Sequence, residues 1–175
     1  MLVHVAPCRS DEAYVIGNLY PLYLHDLSAY SGDVPNAHGV LMPDEPDARV
    51  GDAYTPLYDF WWQHPDVLRP SLIRVDGRAA GFALTSTPSL GQPHWDAEIV
   101  ELFVCAGYRG RGVAQQALGQ ILPSLGGVVG RRGVRVLAGN QRALGFWRSA
   151  LKAAGLEFTV EDRVIEGNRL VLVVF

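Results

Sequence analysis

The sequence predicts an α+β domain built on a mixed sheet, and three observations carry that reading. Short apolar runs recur between turn signals, as strands do. Stretches of helical period lie between them. The chain has 175 residues, 49% hydrophobic and 19% charged, which suits one domain with a real core and is too apolar for disorder.

The elements follow in order. Residues 2–6 read as a strand. Ser10 and Asp11 supply an N-cap and an acidic first turn for a helix to about residue 29. Residues 31–53, rich in Gly, Pro, Asp and Asn, read as a long loop of functional length. A second helix is expected over 56–63. Residues 72–75 and 79–85 are strands around Asp76-Gly77, a strong hairpin signal. Residues 99–104 form a fourth strand. Residues 113–125 are helical, with Ala114, Ala117, Leu118, Ile121 and Leu122 on one face. Residues 134–137 form a short, apolar fifth strand. Residues 140–153 form a helix capped by Asn140 and closed by Gly155. Residues 156–164 and 169–175 are a last strand pair. The six apolar residues at its end suit either a central strand or a dimer interface.

Composition removes several function classes. The net charge of −3 argues against a general nucleic-acid or anionic-membrane binder. The two cysteines, Cys8 and Cys105, have no metal or redox spacing and fit reduced thiols in a cytoplasm. The five histidines are scattered, so no metal site is expected. The N-terminus lacks the features of a signal peptide, and no apolar run is long enough to span a membrane.

The chemistry concentrates in Val104-Cys-Ala-Gly-Tyr-Arg109-Gly110-Arg111-Gly112-Val113-Ala114. A strand ends, a glycine-rich loop follows and a helix starts. Such a loop aims several backbone N–H groups at one place, and the helix macrodipole adds positive potential. Gly110 and Gly112 let a ligand approach the backbone, and Arg109 and Arg111 add charge. The site suits a phosphate or pyrophosphate. A Walker A loop fails for want of its Lys, and a dinucleotide GxGxxG fails at Gln115.

The segment resembles motif A of the GNAT superfamily of N-acetyltransferases, (R/Q)xxGx(G/A), with Arg109, Gly112 and Ala114 in its fixed places. Asn140-Gln-Arg-Ala143-Leu-Gly-Phe146-Trp147 resembles motif B, NxxAxxF(Y/W). The run from Asn18 to Ser28 is also similar to a little-characterised bacterial branch of these enzymes. The resemblance implies one acetyltransferase domain over 1–175, with 1–65 on the acceptor side and 66–175 as the acetyl-CoA-binding core. It implies a mostly antiparallel mixed sheet whose fourth and fifth strands splay, with acetyl-CoA in the wedge as co-substrate. The pyrophosphate maps to Arg109, Gly110, Arg111, Gly112, Val113 and Ala114. Backbone groups around Phe103 and Val104 would pair with the pantetheine. Asn140 would hydrogen-bond that arm, Ala143 would leave room for it, and Phe146 and Trp147 lie beside it.

The implied reaction is direct attack of a primary amine, small molecule or peptide, on the acetyl thioester in a ternary complex. For the base there are two carboxylates on the fourth strand. Glu101 stands in an apolar run, where an idle charge is costly, and is the first choice. Glu98 is the second. Their odd spacing puts them on opposite faces unless a bulge resets the register. Relatives carry a Tyr acid where this chain has Trp147, whose indole is no proton donor. Tyr108 and His94 are alternatives that the sequence does not place. His25, Asp26 and Asp59 are candidates for the acceptor, as are Tyr14, Tyr20, Tyr23, Tyr30, Trp61 and Trp62. A non-catalytic acyl-CoA-binding or regulatory module is the alternative function. A nucleotide binder using Arg109 and Arg111 is a third. Monomer and homodimer both remain open.

Overall fold

The computed structural model describes residues 1–41, 60–92, 94–125, 130–165 and 167–175. Among them, seven strands form one sheet in the order β1-β2-β3-β4-β5-β7-β6. They are β1 (Val3–Pro7), β2 (Leu68–Val75), β3 (Arg78–Ser86), β4 (Ala97–Val104), β5 (Arg132–Leu137), β6 (Thr159–Ile165) and β7 (Asn168–Val174). Among the described residues, α1 (Ala13–Ser31), α2 (Val113–Leu125) and α3 (Gln141–Ala153) flank the sheet. Neighbours are antiparallel except β4 and β5, which run parallel. The α+β mixed sheet is the one expected from the sequence. Residues 60–63 are helical, as expected. Positions 56–59 of that expected helix, with Asp59, and positions 42–53 of the expected loop lie outside the described residues.

Local chemistry explains most boundaries. Asp76 and Gly77 both take positive φ, 48° and 80°, the pair a type I′ hairpin turn requires. The expected Ser10 cap is corrected. Ser10–Glu12 is a 3-10 turn, so Ser10 already lies inside it, and no side chain caps α1. Asn140 does cap α3: its Oδ1 accepts from the Ala143 N–H at 3.0 Å. The apolar C-terminal strand, β7, lies between β5 and β6. Its two faces explain this position. Val171 and Val173 pack in the main core, while Leu172 and Val174 pack with Trp95.

Among the described residues, the two larger buried clusters lie on opposite faces of the sheet. On one face α2 and α3 bury Val113, Ala117, Leu118, Ile121, Leu144, Trp147 and Leu151 against Ile99, Val104, Val134 and Val136. On the other, α1 lays Ile16 against Phe82, Leu84 and Phe103. Each of the large aliphatic side chains is worth about 1.5–3 kcal/mol of burial.

Two irregularities position the site. β4 pairs with β5 only at Ala97↔Arg132 and Glu98↔Gly133, while β5 pairs with β7 along its length. Beyond Glu98 the two parallel strands therefore diverge. On its other side β4 carries a bulge: Leu84 faces Glu101, but Thr85 faces Ile99, so Val100 is the extra residue.

Candidate active site

The wedge exposes one edge of β4. Cys105 N–H donates to the Ala80 carbonyl at 2.8 Å, which makes that pair a hydrogen-bonded one. Antiparallel ladders alternate, so Phe103 (opposite Phe82) and Glu101 (opposite Leu84) also bond to β3. The N–H and C=O groups of Leu102 and Val104 then point the other way, into the wedge. This corrects the expectation for Phe103. By this alternation its backbone belongs to the β3 ladder, while the residue still lines the cavity. Leu102, with Val104, presents its backbone away from β3, as strand alternation requires.

The wedge opens into a cavity of about 670 Å³. Its wall brings together Phe103, Val104, Arg109, Gly110, Gly112, Val113, Ala114, Asn140, Ala143, Phe146 and Trp147 from separate parts of the chain. The second half of α1 closes it with Tyr23, Asp26, Leu27 and Tyr30. Arg111 is exposed and is not among the lining residues.

The loop between β4 and α2 is shaped for a backbone-bound group. Gly110 and Gly112 take φ of 71° and 75°, which L side chains rarely adopt. A Cβ at Gly110 would meet nothing within 4 Å, and at Gly112 only the Gln116 amide at 3.7 Å. The space over the loop is therefore open. The first N–H groups of α2 point there without intrahelical partners.

Arg109 behaves differently from its expected role. Its own N–H donates to Ala106 O within the preceding turn. Its guanidinium turns away from the loop. Nε donates to the Val104 carbonyl at 2.6 Å, a second nitrogen pairs with Asp26 of α1, and the group lies 5.5 Å from the Phe103 ring centroid. Arg109 ties α1 to the end of β4, and Asp26 offsets its charge.

In α3, Asn140 uses its Oδ1 as the cap and keeps its amide NH2 toward other partners. Trp147 is buried and packs edge-on against Phe146 with centroids 5.2 Å apart. Tyr108 lines the cavity; His94 is exposed.

The bulge brings the two carboxylates together. Glu98 faces Ser86 and Glu101 faces Leu84, and those β3 residues are two apart, so both carboxylates lie on the α1 face. Their environments differ. Glu98 is fully buried and accepts from Arg135 Nε at 2.6 Å, Ser89 Oγ at 2.6 Å and Gly91 N at 3.2 Å. Glu101 Oε1 accepts from the Tyr20 hydroxyl at 2.9 Å. Its Oε2 is buried with no hydrogen-bond partner among the described residues. Burial raises the Glu101 carboxyl from 4.5 to about 7, against the lowering effect of the Tyr20 hydrogen bond. Burial, with Glu101 nearby, also lifts the Tyr23 phenol well above 10, so Tyr23 stays protonated. The cysteines are free, and burial raises both thiols, Cys8 to about 12. Sequence reasoning missed Arg135, though a lone cation in Val134-Arg135-Val136 was a readable signal.

The model of the acetyltransferase (GNAT) family matches residues 36–151. The chain belongs to that family. No curated protein matches it. Many solved structures share its fold. An acetyltransferase from Thermus thermophilus is 21% identical with a TM-score of 0.68, over 100% of this chain and 97% of that one. The spermidine N-acetyltransferase of Vibrio cholerae, solved with CoA and spermine, is 12% identical with a TM-score of 0.67, over 99% and 94%. A ribosomal-protein-alanine N-acetyltransferase from Brucella melitensis is 15% identical with a TM-score of 0.64, over 100% and 99%. At these identities the likeness is one of fold. No helix among the described residues is long and apolar enough to cross a membrane.

Proposed function

We propose that this GNAT acetyltransferase is one domain that moves an acetyl group from acetyl-CoA to a primary amine by direct attack in a ternary complex. One observation carries the reading. The open glycine loop, the β4 edge turned away from β3 at Leu102 and Val104, and the start of α3 line a single cavity. A pyrophosphate fits the N–H groups of residues 110–114, because the positive-φ glycines leave that space empty. A pantetheine amide arm fits the edge of β4 as an added strand would. The Asn140 amide and the small Ala143 lie on the same wall.

Acetyl-CoA supplies an acyl thioester with a leaving thiolate, whose reference pKa is about 8.5. The chain supplies the rest. Val104 N–H points into the wedge, where it can donate to the acetyl carbonyl oxygen as negative charge develops on that oxygen during attack. Glu101, raised to about 7, is the base for the acceptor ammonium near neutral pH; it does not itself line the cavity, and the proton reaches it through water. The amine nitrogen then bonds to the acetyl carbon as the C–S bond breaks. Trp147 has no proton to give, so the thiolate leaves as such or takes its proton from water in the open cavity. Arg109 acts through Val104 and α1.

The test is a thermal-shift titration with acetyl-CoA, CoA and ATP on wild type and Gly112→Trp. Both CoA ligands are expected to stabilise wild type by about 2.7 kcal/mol at a hundredfold excess over Kd, with no response in the variant. A flat response to CoA ligands overturns the proposal.

A further inference from the structure

Helix α1 changes character along its length. Its fully buried residues, Ala13, Ile16 and Gly17, all lie in the first half. Pro21 follows inside the helix. It has no N–H for the Gly17 carbonyl, so a helical hydrogen bond is missing there, and helices bend at such points. Past it, Tyr23 is the last α1 residue in either of the two larger buried clusters. Tyr23, Asp26, Leu27 and Tyr30 then recur at helical spacing, and all four line the cavity. The second half of α1 is therefore cavity wall more than core. The Tyr23 ring meets Phe82 and Phe103, with centroids 5.8 and 5.9 Å away. Tyr30 stands by the turn between β5 and α3, where a Cβ on Gly139 would lie 4.0 Å from its Cδ1. Between them Asp26 pairs with Arg109.

We propose that Asp26 is a positioning residue: through Arg109 it fixes the second half of α1 as a wall of the cavity, and so sets which amines fit against it. The partner is itself anchored. Arg109 Nε donates to the Val104 carbonyl at 2.6 Å, and the guanidinium lies 5.5 Å from the Phe103 ring centroid. Asp26 thus docks on a cation that β4 already holds, so the pair restrains the helix more than the arginine. The two side chains keep only 25% and 41% of their exposure, Arg109 first, so water and salt screen this pair less than a surface one. The pair lies beyond Pro21, where packing against the core has thinned out. A segment with few buried contacts opens locally at low cost, and one shielded ion pair then decides how often it does. The part of the inference that concerns amines rests on reading this cavity as the site of acetyl transfer.

The experiment is amide hydrogen exchange on the unliganded protein, comparing wild type, D26N and D26E. In D26N the amides of residues 22–31 are expected to exchange at least about threefold faster, with those of residues 13–20 unchanged. D26E keeps the charge and is expected to recover most of the protection. Unchanged exchange over 22–31, or a rise equal on both sides of Pro21, overturns the inference. So does a D26E protein that exchanges as fast as D26N. If D26N does not fold, R109M decides by the same measure: faster exchange confined to 22–31 supports the proposal and unchanged exchange overturns it. The second readout is kcat/KM at saturating acetyl-CoA over primary amines of graded bulk, from methylamine to benzylamine. D26N is expected to shift the preference toward the bulkier amines by about threefold. Faster exchange with no shift in preference overturns the claim that Asp26 sets which amines fit. If wild type acetylates no amine of the series, the transfer reading is what fails, and the exchange result stands without it.

Discussion

Replacing Glu101 by Gln should make the protein more stable and less active. The carboxyl rises from 4.5 to about 7 because burial disfavours its charge. At about 1.4 kcal/mol per pH unit, the folded state loses about 3 kcal/mol when it must hold the ion at high pH. The sign follows from proton counts. Between pH 4.5 and 7 the folded chain keeps a proton that the unfolded chain has lost, so stability falls as pH rises and levels off above 7. Gln has no charge to bury, and its carbonyl still accepts from Tyr20. The stabilisation by E101Q should therefore be about 3 kcal/mol at pH 8 and shrink to about 1 kcal/mol at pH 5. For a domain of this size, that is roughly 6–12 °C in Tm at pH 8. Urea unfolding of both proteins at the two pH values measures it. An E101Q protein less stable than wild type at pH 8, or a pH-independent gap, would refute the reasoning.

Three further outcomes are expected. In wild type, kcat/KM should rise about tenfold per pH unit below 7 and level off above it, since the base works only when ionised; a profile flat from pH 5.5 to 8 would count against Glu101. Gly81→Ala puts a Cβ 2.0 Å from the Phe103 carbonyl oxygen, so its urea midpoint should drop by at least about 2 kcal/mol of stability with m unchanged. Asp26→Asn removes the anion that offsets Arg109 beside the cavity. Calorimetry should show tighter CoA binding with a steeper loss in high salt, at a stability change within about 1 kcal/mol.

The fold was largely legible because its signals are local. Asp76-Gly77 fixes a turn, Asn140 a cap and Ala117-Leu118-Ile121 a buried helix face within a few residues of themselves. The Arg109-to-Ala114 loop was legible for the same reason: glycine spacing before a helix is chain-local chemistry. Ser10 misled because a 3-10 start and a capped α start share the same residues.

The site's electrostatics were decided elsewhere. By itself the sequence determined which residues carry charge, the order of most strands and helices, and that a glycine-rich loop stands between β4 and α2. Tertiary structure alone decided that Glu98 and Glu101 share a face, because one bulge opposite β3 shifts the alternation. It alone decided that Arg135 answers Glu98 and that Arg109 answers Asp26, contacts of 37 and 83 residues' separation. Coulomb and desolvation energies depend on distances through space and on exclusion of water. Neither is a property of position along a chain.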